Sequence, residues 1–303
     1  MDSVFLQQIV NGLTIGMIYA LIALGYTMVY GIAQLINFAH GEVFMVGAYL
    51  GFFAYSLLLP LFGVTSYSLL DVIFIFIFSM AVTALLGVVI ERFAYRPLRQ
   101  APRLAPLITA IGVSFLLQNI IMLIFGPSDK RFPVLLKIVR LTFAGVTITN
   151  LQLLIAASSV FLMISLYLFV QYSRTGKAMR ALADDCDAAN LVGINTNRII
   201  SVTFMIGSAL AGAGGVMFGM YYNTINFHDG YLAGLKAFTA AVLGGIGNIP
   251  GAMLGGLLIG VLEGLGAGYL SSEWKNVFAF FILILILLFR PSGLLGSRVV
   301  KKV

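Results

Sequence analysis

Apolar runs about as long as a bilayer is thick follow one another along nearly the whole of this chain. A helix needs about 20 predominantly apolar residues to cross the hydrocarbon layer. Such runs cover 5–30, 40–58, 68–90, 105–125, 151–171, 199–221, 249–268 and 275–289. Composition points the same way: 60% of the 303 residues are hydrophobic and 10% charged, where a soluble domain carries about 25% charged residues. The expected fold class is all-α, a polytopic membrane protein with about eight transmembrane helices plus a short or broken helix, in a single domain over 1–303.

The short element is 233–246, interrupted by Gly244, Gly245 and Gly247 and closed by Pro250. The chain starts Met1, Asp2, Ser3, Val4, Phe5, without the basic segment and small-residue cleavage site of a secretory leader, so the first run is expected to stay as a permanent span. Cys186 is the single cysteine, which leaves no internal disulfide and no CxxC metal or redox site.

The net charge of +7 does not point to nucleic acid, because basic residues beside spans are the ordinary topology signal. Arg92, Arg96, Arg99 and Arg103 form one group, Arg174, Lys177, Arg180 and Arg198 a second, and Arg290, Arg298, Lys301 and Lys302 the tail. Counting spans puts these groups on one side if the short segment crosses, with the C-terminus cytoplasmic. A fourth group, Lys130, Arg131, Lys137 and Arg140, falls on the opposite side and runs against the rule.

Glycines recur at small-xxx-small spacing: Gly12 and Gly16, Gly215 and Gly219, Gly251 and Gly255, with Gly256, Gly260 and Gly264. Small residues let helix backbones approach closely where lipid supplies no hydrophobic drive. They serve either packing within the chain or packing against a partner.

The segment 173–198 reads as a polar loop holding a short helix on the cytoplasmic face. Ala and Leu dominate its centre, and Gly193 stands where a glycine ends a helix. Asp187, Ala188 and Ala189 followed by Gly193 resemble the E-A-A-x-x-x-G signature of ABC importer permeases, with Asp in place of Glu and without the usual later Leu-Pro. That resemblance makes Ala183, Asp187, Ala188, Ala189 and Gly193 the residues expected to dock on an ATPase subunit.

A wider resemblance spans most of the chain. Tyr19 to Gly31 (YALIALGYTMVYG), Ile36 to Glu42 (INFAHGE), Ile90 to Pro97 (IERFAYRP), Gly193 to Arg198 (GINTNR) and Lys236 to Gly247 (KAFTAAVLGGIG) resemble the LivH family. The resemblance implies a permease subunit of an importer for branched-chain (Leu, Ile, Val) or related neutral amino acids in a bacterial inner membrane. It also implies four partners: a second homologous permease subunit, two ATPase subunits and an extracytoplasmic binding protein. No cofactor is expected in this chain, and ATP-Mg belongs on the ATPases. Gly176-Lys177 lacks the upstream glycine and the following Ser/Thr of a phosphate loop.

Polar residues at membrane depth are functional candidates. Asn37, His40, Gly41 and Glu42 open the second span. If this helix starts inside the membrane, its amides offer partial positive charge to a substrate carboxylate; if it starts at the interface, Glu42 simply complements the dipole. Lys236, Thr239, Gly244 and Gly245 form a second candidate stretch, and Glu263 either lines the path or bonds a neighbouring helix. Ile225, Asn226, Phe227 and Gly230 echo Ile36, Asn37, Phe38 and Gly41, through two related halves or by coincidence. The rival readings are an importer permease for urea, short amides or polar amino acids, and a stand-alone carrier or channel. The latter needs buried carboxylates or a lined pore, and few acids here are expected to be buried.

Overall fold

The computed structural model describes residues 2–61, 68–99, 101–102, 104–143, 145–271, 274–290 and 292–296. Of the residues singled out above, Met1, Arg103, Arg298, Lys301 and Lys302 lie outside these. The helices are α1 (Asp2–Ala33), α2 (His40–Phe53), α3 (Leu69–Ile90), α4 (Leu104–Phe125), α5 (Asn150–Tyr172), α6 (Arg174–Asp184), α7 (Cys186–Leu191), α8 (Thr196–Tyr222), α9 (Asp229–Gly244), α10 (Ile249–Tyr269) and α11 (Lys275–Phe289). Turns of π-helix extend α2 over Ala54–Leu58 and α3 over Glu91–Tyr95. Among the described residues, seven helices are long and apolar enough to cross a membrane, and the eighth expected span is a shorter apolar helix, Asn276–Phe289. The protein is a multi-pass helical membrane protein.

Helix starts follow local chemistry. Ser68 and Asp71 form a reciprocal capping box at α3, as Thr149 and Gln152 do at α5. Asn248 caps α10 by accepting from the amide of Gly251 at 2.9 Å, with Pro250 in the first turn. Two small antiparallel pairs interrupt the helices. Strand β1 (Lys130–Arg131) pairs with β4 (Thr224–Ile225), and β2 (Arg140–Phe143) with β3 (Val146–Thr149).

Helices α1 and α8 form the buried centre, whereas α3, α4, α5 and α11 turn leucines, isoleucines and phenylalanines outward, as lipid-facing helices do. Glycines set the closest approaches. A Cβ on Gly12 would stand 2.7 Å from the carbonyl oxygen of Gly260, and one on Gly16 2.9 Å from that of Gly256. The small-residue stripes of α1 and α10 therefore pack on each other within the chain.

The ends of α1 define two sides. Its N-terminal end meets the β2–β3 hairpin, where the Gln7 amide donates to the carbonyl of Thr147 at 3.0 Å. At its C-terminal end, Gly31 faces Gly247. The 224–247 stretch runs from the β1–β4 pair to that opposite end, so it joins the two sides of the bundle, as the count of basic clusters requires. Its helix is Asp229–Gly244 rather than 233–246: His228 and Asp229 begin the helical turn, and Gly245, at φ +104°, stops it.

Candidate functional site

Two helices, α2 and α9, begin inside the bundle, and they begin in the same way. After α1, Gln34 adopts left-handed φ +52° and donates its amide to the carbonyl of Tyr30; after α8, Asn223 adopts φ +58° and donates to Gly219. In each case Ile-Asn-Phe follows, then a turn. The amide of His40 donates to Asn37 at 3.0 Å and that of Asp229 to Asn226 at 3.1 Å; Glu42 donates to Ala39 at 3.1 Å and Tyr231 to His228 at 3.2 Å. Every equivalent pair is separated by 189 residues (223 − 34). The echo between the two segments is thus a structural repeat.

The copies face each other reciprocally. A Cβ on Gly230 would lie 2.8 Å from the carbonyl oxygen of Gly41, and one on Gly41 would collide with the carbonyl of Gly230. Such mutual contact is the mark of a local two-fold. The second helix of each copy packs on the first helix of the other, α2 on α8 through Gly47 and Gly212, α9 on α1 through Gly234 and Tyr26. His40 sits against Gly25, eight residues before the end of α1 at Ala33, which is about 12 Å of helix. The start of α2 is therefore deep in the bundle, not at its rim.

Asn37, His40, Gly41 and Glu42 come together at this junction. The carboxamide oxygen of Asn37 accepts from the Tyr95 hydroxyl at 2.7 Å. The His40 ring meets Tyr26 edge-on with centroids 4.9 Å apart, and its Nε2 has no hydrogen-bond partner among the described residues. Glu42 is 1% exposed. Its Oε1 accepts from Gln118 Nε2 at 2.8 Å and Ser114 Oγ at 3.2 Å. Ser114 and Gln118 lie four apart on the apolar α4 and so share one face; that spacing was a readable signal, and the sequence reasoning passed over it.

Lys236 and Glu263 stand elsewhere. Lys236 Nζ donates to Glu263 Oε1 at 3.0 Å and to the Tyr19 hydroxyl at 3.3 Å, and that hydroxyl donates to Glu263 Oε2 at 3.0 Å. The triad joins α9, α10 and α1. Thr239 donates to the carbonyl of Leu235 in its own helix. Gly244 packs against Gly251, and Gly245 against Gly296. Among the described acids Glu42, Glu91 and Glu263 are buried, in keeping with the expectation that few are. Glu91 pairs with Arg99 and accepts from Ser201 Oγ at 2.6 Å.

At the basic end, the loop expected to hold one short helix holds two, because Asp185 leaves helical geometry and caps α7 through the amides of Asp187 and Ala188, both at 2.9 Å. Arg180 ties α6 to the last carbonyls of α5, Val170 and Gln171. Ala183 lines a cavity of about 80 Å³ with Met28, Gly31 and Gly247, so α6 lies beside the end of α1 and the turn after α9. Gly193, at φ +85°, closes α7 with bonds from its own amide to Asn190 and from Ile194 to Ala189. This is a Schellman stop. Ala189 is buried, whereas Asp187, Ala188 and Gly193 are exposed. Leu191 and Val192, which the sequence reading did not select, project outward at 89% and 77% exposure.

The family model described as "Branched-chain amino acid transport system / permease component" matches residues 8–287. The chain belongs to this permease family. The high-affinity branched-chain amino acid transport system permease protein BraD of Pseudomonas aeruginosa is 53% identical to the permease over 303 residues, covering 99% of this chain and 98% of that one. The corresponding LivH protein of Escherichia coli K12 is 48% identical with the same coverage. A probable branched-chain amino acid transport permease of Methanocaldococcus jannaschii is 29% identical over 91% of the permease and 88% of its own length. No solved structure matches the permease significantly.

Proposed function

We propose that the permease forms half of the passage through a bacterial inner membrane for branched-chain amino acids, within an importer driven by ATP. The observation that carries this reading is likeness along the entire chain, 53% and 48% identity, to proteins named for that transport. A second, related permease supplies the other half. Two ATPase subunits hold ATP-Mg, and an extracytoplasmic protein captures the cargo.

The division of labour follows from what the chain carries. Gly176-Lys177 is not a phosphate loop, so hydrolysis falls to other chains. The α6–α7 pair is the handle they grip. Exposed Leu191 and Val192, beside Asp187, Ala188 and Gly193, offer an apolar tip for a groove. Met179 and Leu182 anchor α6 to the bundle, and Ala183 adjoins the end of α1 and the turn after α9. Movement of the handle thus reaches the end of α1 and the turn after α9, whose positions bias the passage between inward- and outward-open states. The basic clusters put this end and the C-terminus in the cytoplasm.

The test is reconstitution of the permease with its partners in liposomes and measurement of labelled leucine uptake. Uptake should require ATP, the ATPases and the loaded binding protein together. Leucine uptake by the permease alone, down its gradient and without nucleotide, would defeat the proposal.

A further inference from the structure

Deepening that reading and resting on it, we propose that the cavity between α4, α9 and the turn before α2 is the subsite that takes the ammonium group of the α-amino acid in transit, with Glu42, behind its wall, as the counter-charge.

The cavity measures about 330 Å³, at the lower end of the roughly 300–1,000 Å³ of small-molecule sites. Ser114, Gln118 and Gly230 form its polar wall, and Phe38, Ile111 and Leu235 much of the apolar remainder. Glu42 stands directly behind the polar wall. Ser114 and Gln118 both donate to its Oε1, while Oε2 lies against Gly230 and has no hydrogen-bond partner among the described residues. An ionised carboxylate has about four acceptor sites, and two donors leave it half satisfied. A buried charge is tolerated only with compensation. A primary ammonium, with three donors and one positive charge, supplies what is missing. The apolar wall then receives the hydrocarbon side chain.

Gly230 lines the cavity and packs directly on Glu42 Oε2, so a single layer of backbone separates the ligand from that oxygen. On the outer side, exposed Asp129 is bonded by the Asn226 carboxamide, and the Asn226 amide donates to Asp229 at 2.7 Å, next to Gly230, with Lys130 and Arg131 alongside. Ile111, Phe115 and Tyr231 form an exposed rim. A polar wall open to hydrocarbon is costly, so the mouth faces the water-filled gap against the second permease rather than lipid.

The experiment uses the complete reconstituted importer and reads leucine imported per ATP hydrolysed. Glu42→Gln keeps the volume and the acceptor oxygen for Ser114 and Gln118 and removes only the charge. The ratio should fall about tenfold, equivalent to ~1.4 kcal/mol, with partial return in Glu42→Asp. An unchanged ratio in Glu42→Gln overturns the subsite, whereas wild-type importer that carries no leucine overturns the transport reading instead. If Glu42→Gln fails to assemble, Ile111→Cys in a Cys186→Ser background gives the second readout. Leucine-loaded binding protein with ATP should slow maleimide labelling at that cysteine, and equal rates with and without leucine reject the site.

Discussion

Gly41 and Gly230 meet backbone to backbone at the point where α2 and α9 start, 189 residues apart in sequence. Neither position has room for a side chain. Gly41→Val would put its Cβ 2.8 Å from the Cα of Gly234 and into the carbonyl of Gly230. Overpacking of this kind costs about 1–3 kcal/mol. Thermal unfolding in detergent should show a clearly lowered midpoint together with lost uptake; a wild-type midpoint would mean that the starts of α2 and α9 do not meet.

The Lys236–Glu263 pair binds α9 to α10, with side-chain exposures of 8% and 3%. Removing one partner strands a buried charge, at about 3–5 kcal/mol, whereas replacing both with apolar groups of similar size is close to neutral. Lys236→Met and Glu263→Leu should each destabilise strongly, and the double variant should recover most of the loss. Additive losses in that double-mutant cycle would argue that the two side chains do not interact.

Gly193 offers a separable test of the handle. A Cβ there would meet nothing within 4 Å, so the φ of +85° is the sole obstacle to substitution. A β-branched residue in that conformation is strained by about 1–3 kcal/mol. Gly193→Val should insert and accumulate normally while uptake falls relative to ATP hydrolysis, and Gly193→Asn, which tolerates left-handed backbone, should do less harm. Coupled transport at the wild-type ratio in Gly193→Val would exclude α7 as the transmitter.

The Tyr95 hydroxyl holds the turn before α2 through Asn37 at 2.7 Å. Tyr95→Phe leaves that buried carboxamide oxygen without its donor, for about 1–3 kcal/mol. A lower unfolding midpoint with an unaltered ratio of leucine to ATP is expected. A changed ratio at wild-type stability would place Asn37 in the path rather than beneath it.

Much of this protein is legible in one dimension because lipid imposes a simple rule. Each span must satisfy its own backbone, so runs such as 105–125 and 151–171 announce helices by length and apolarity alone. Gly193 likewise announced its helix stop, since few residues other than glycine take left-handed geometry there. The break at Asp185 was hidden, because a capping aspartate and a surface aspartate read alike.

The site was legible as a set of residue types but not as an arrangement. Asn37, His40 and Glu42 stood out as polar residues beside a span, as did Lys236 and Glu263, and nothing in the sequence separated the two groups. Tertiary structure did so by pairing: Lys236 and Glu263, 27 residues apart, neutralise each other, while Glu42 meets only neutral donors 72 and 76 residues away and keeps one oxygen unpaired. The sequence determined which runs form apolar helices and which loops are basic, since both depend on local composition. Which buried carboxylate is balanced by a charge, and which stands behind a cavity wall with neutral donors, depends on long-range contacts between helices, and only the packed bundle decided that.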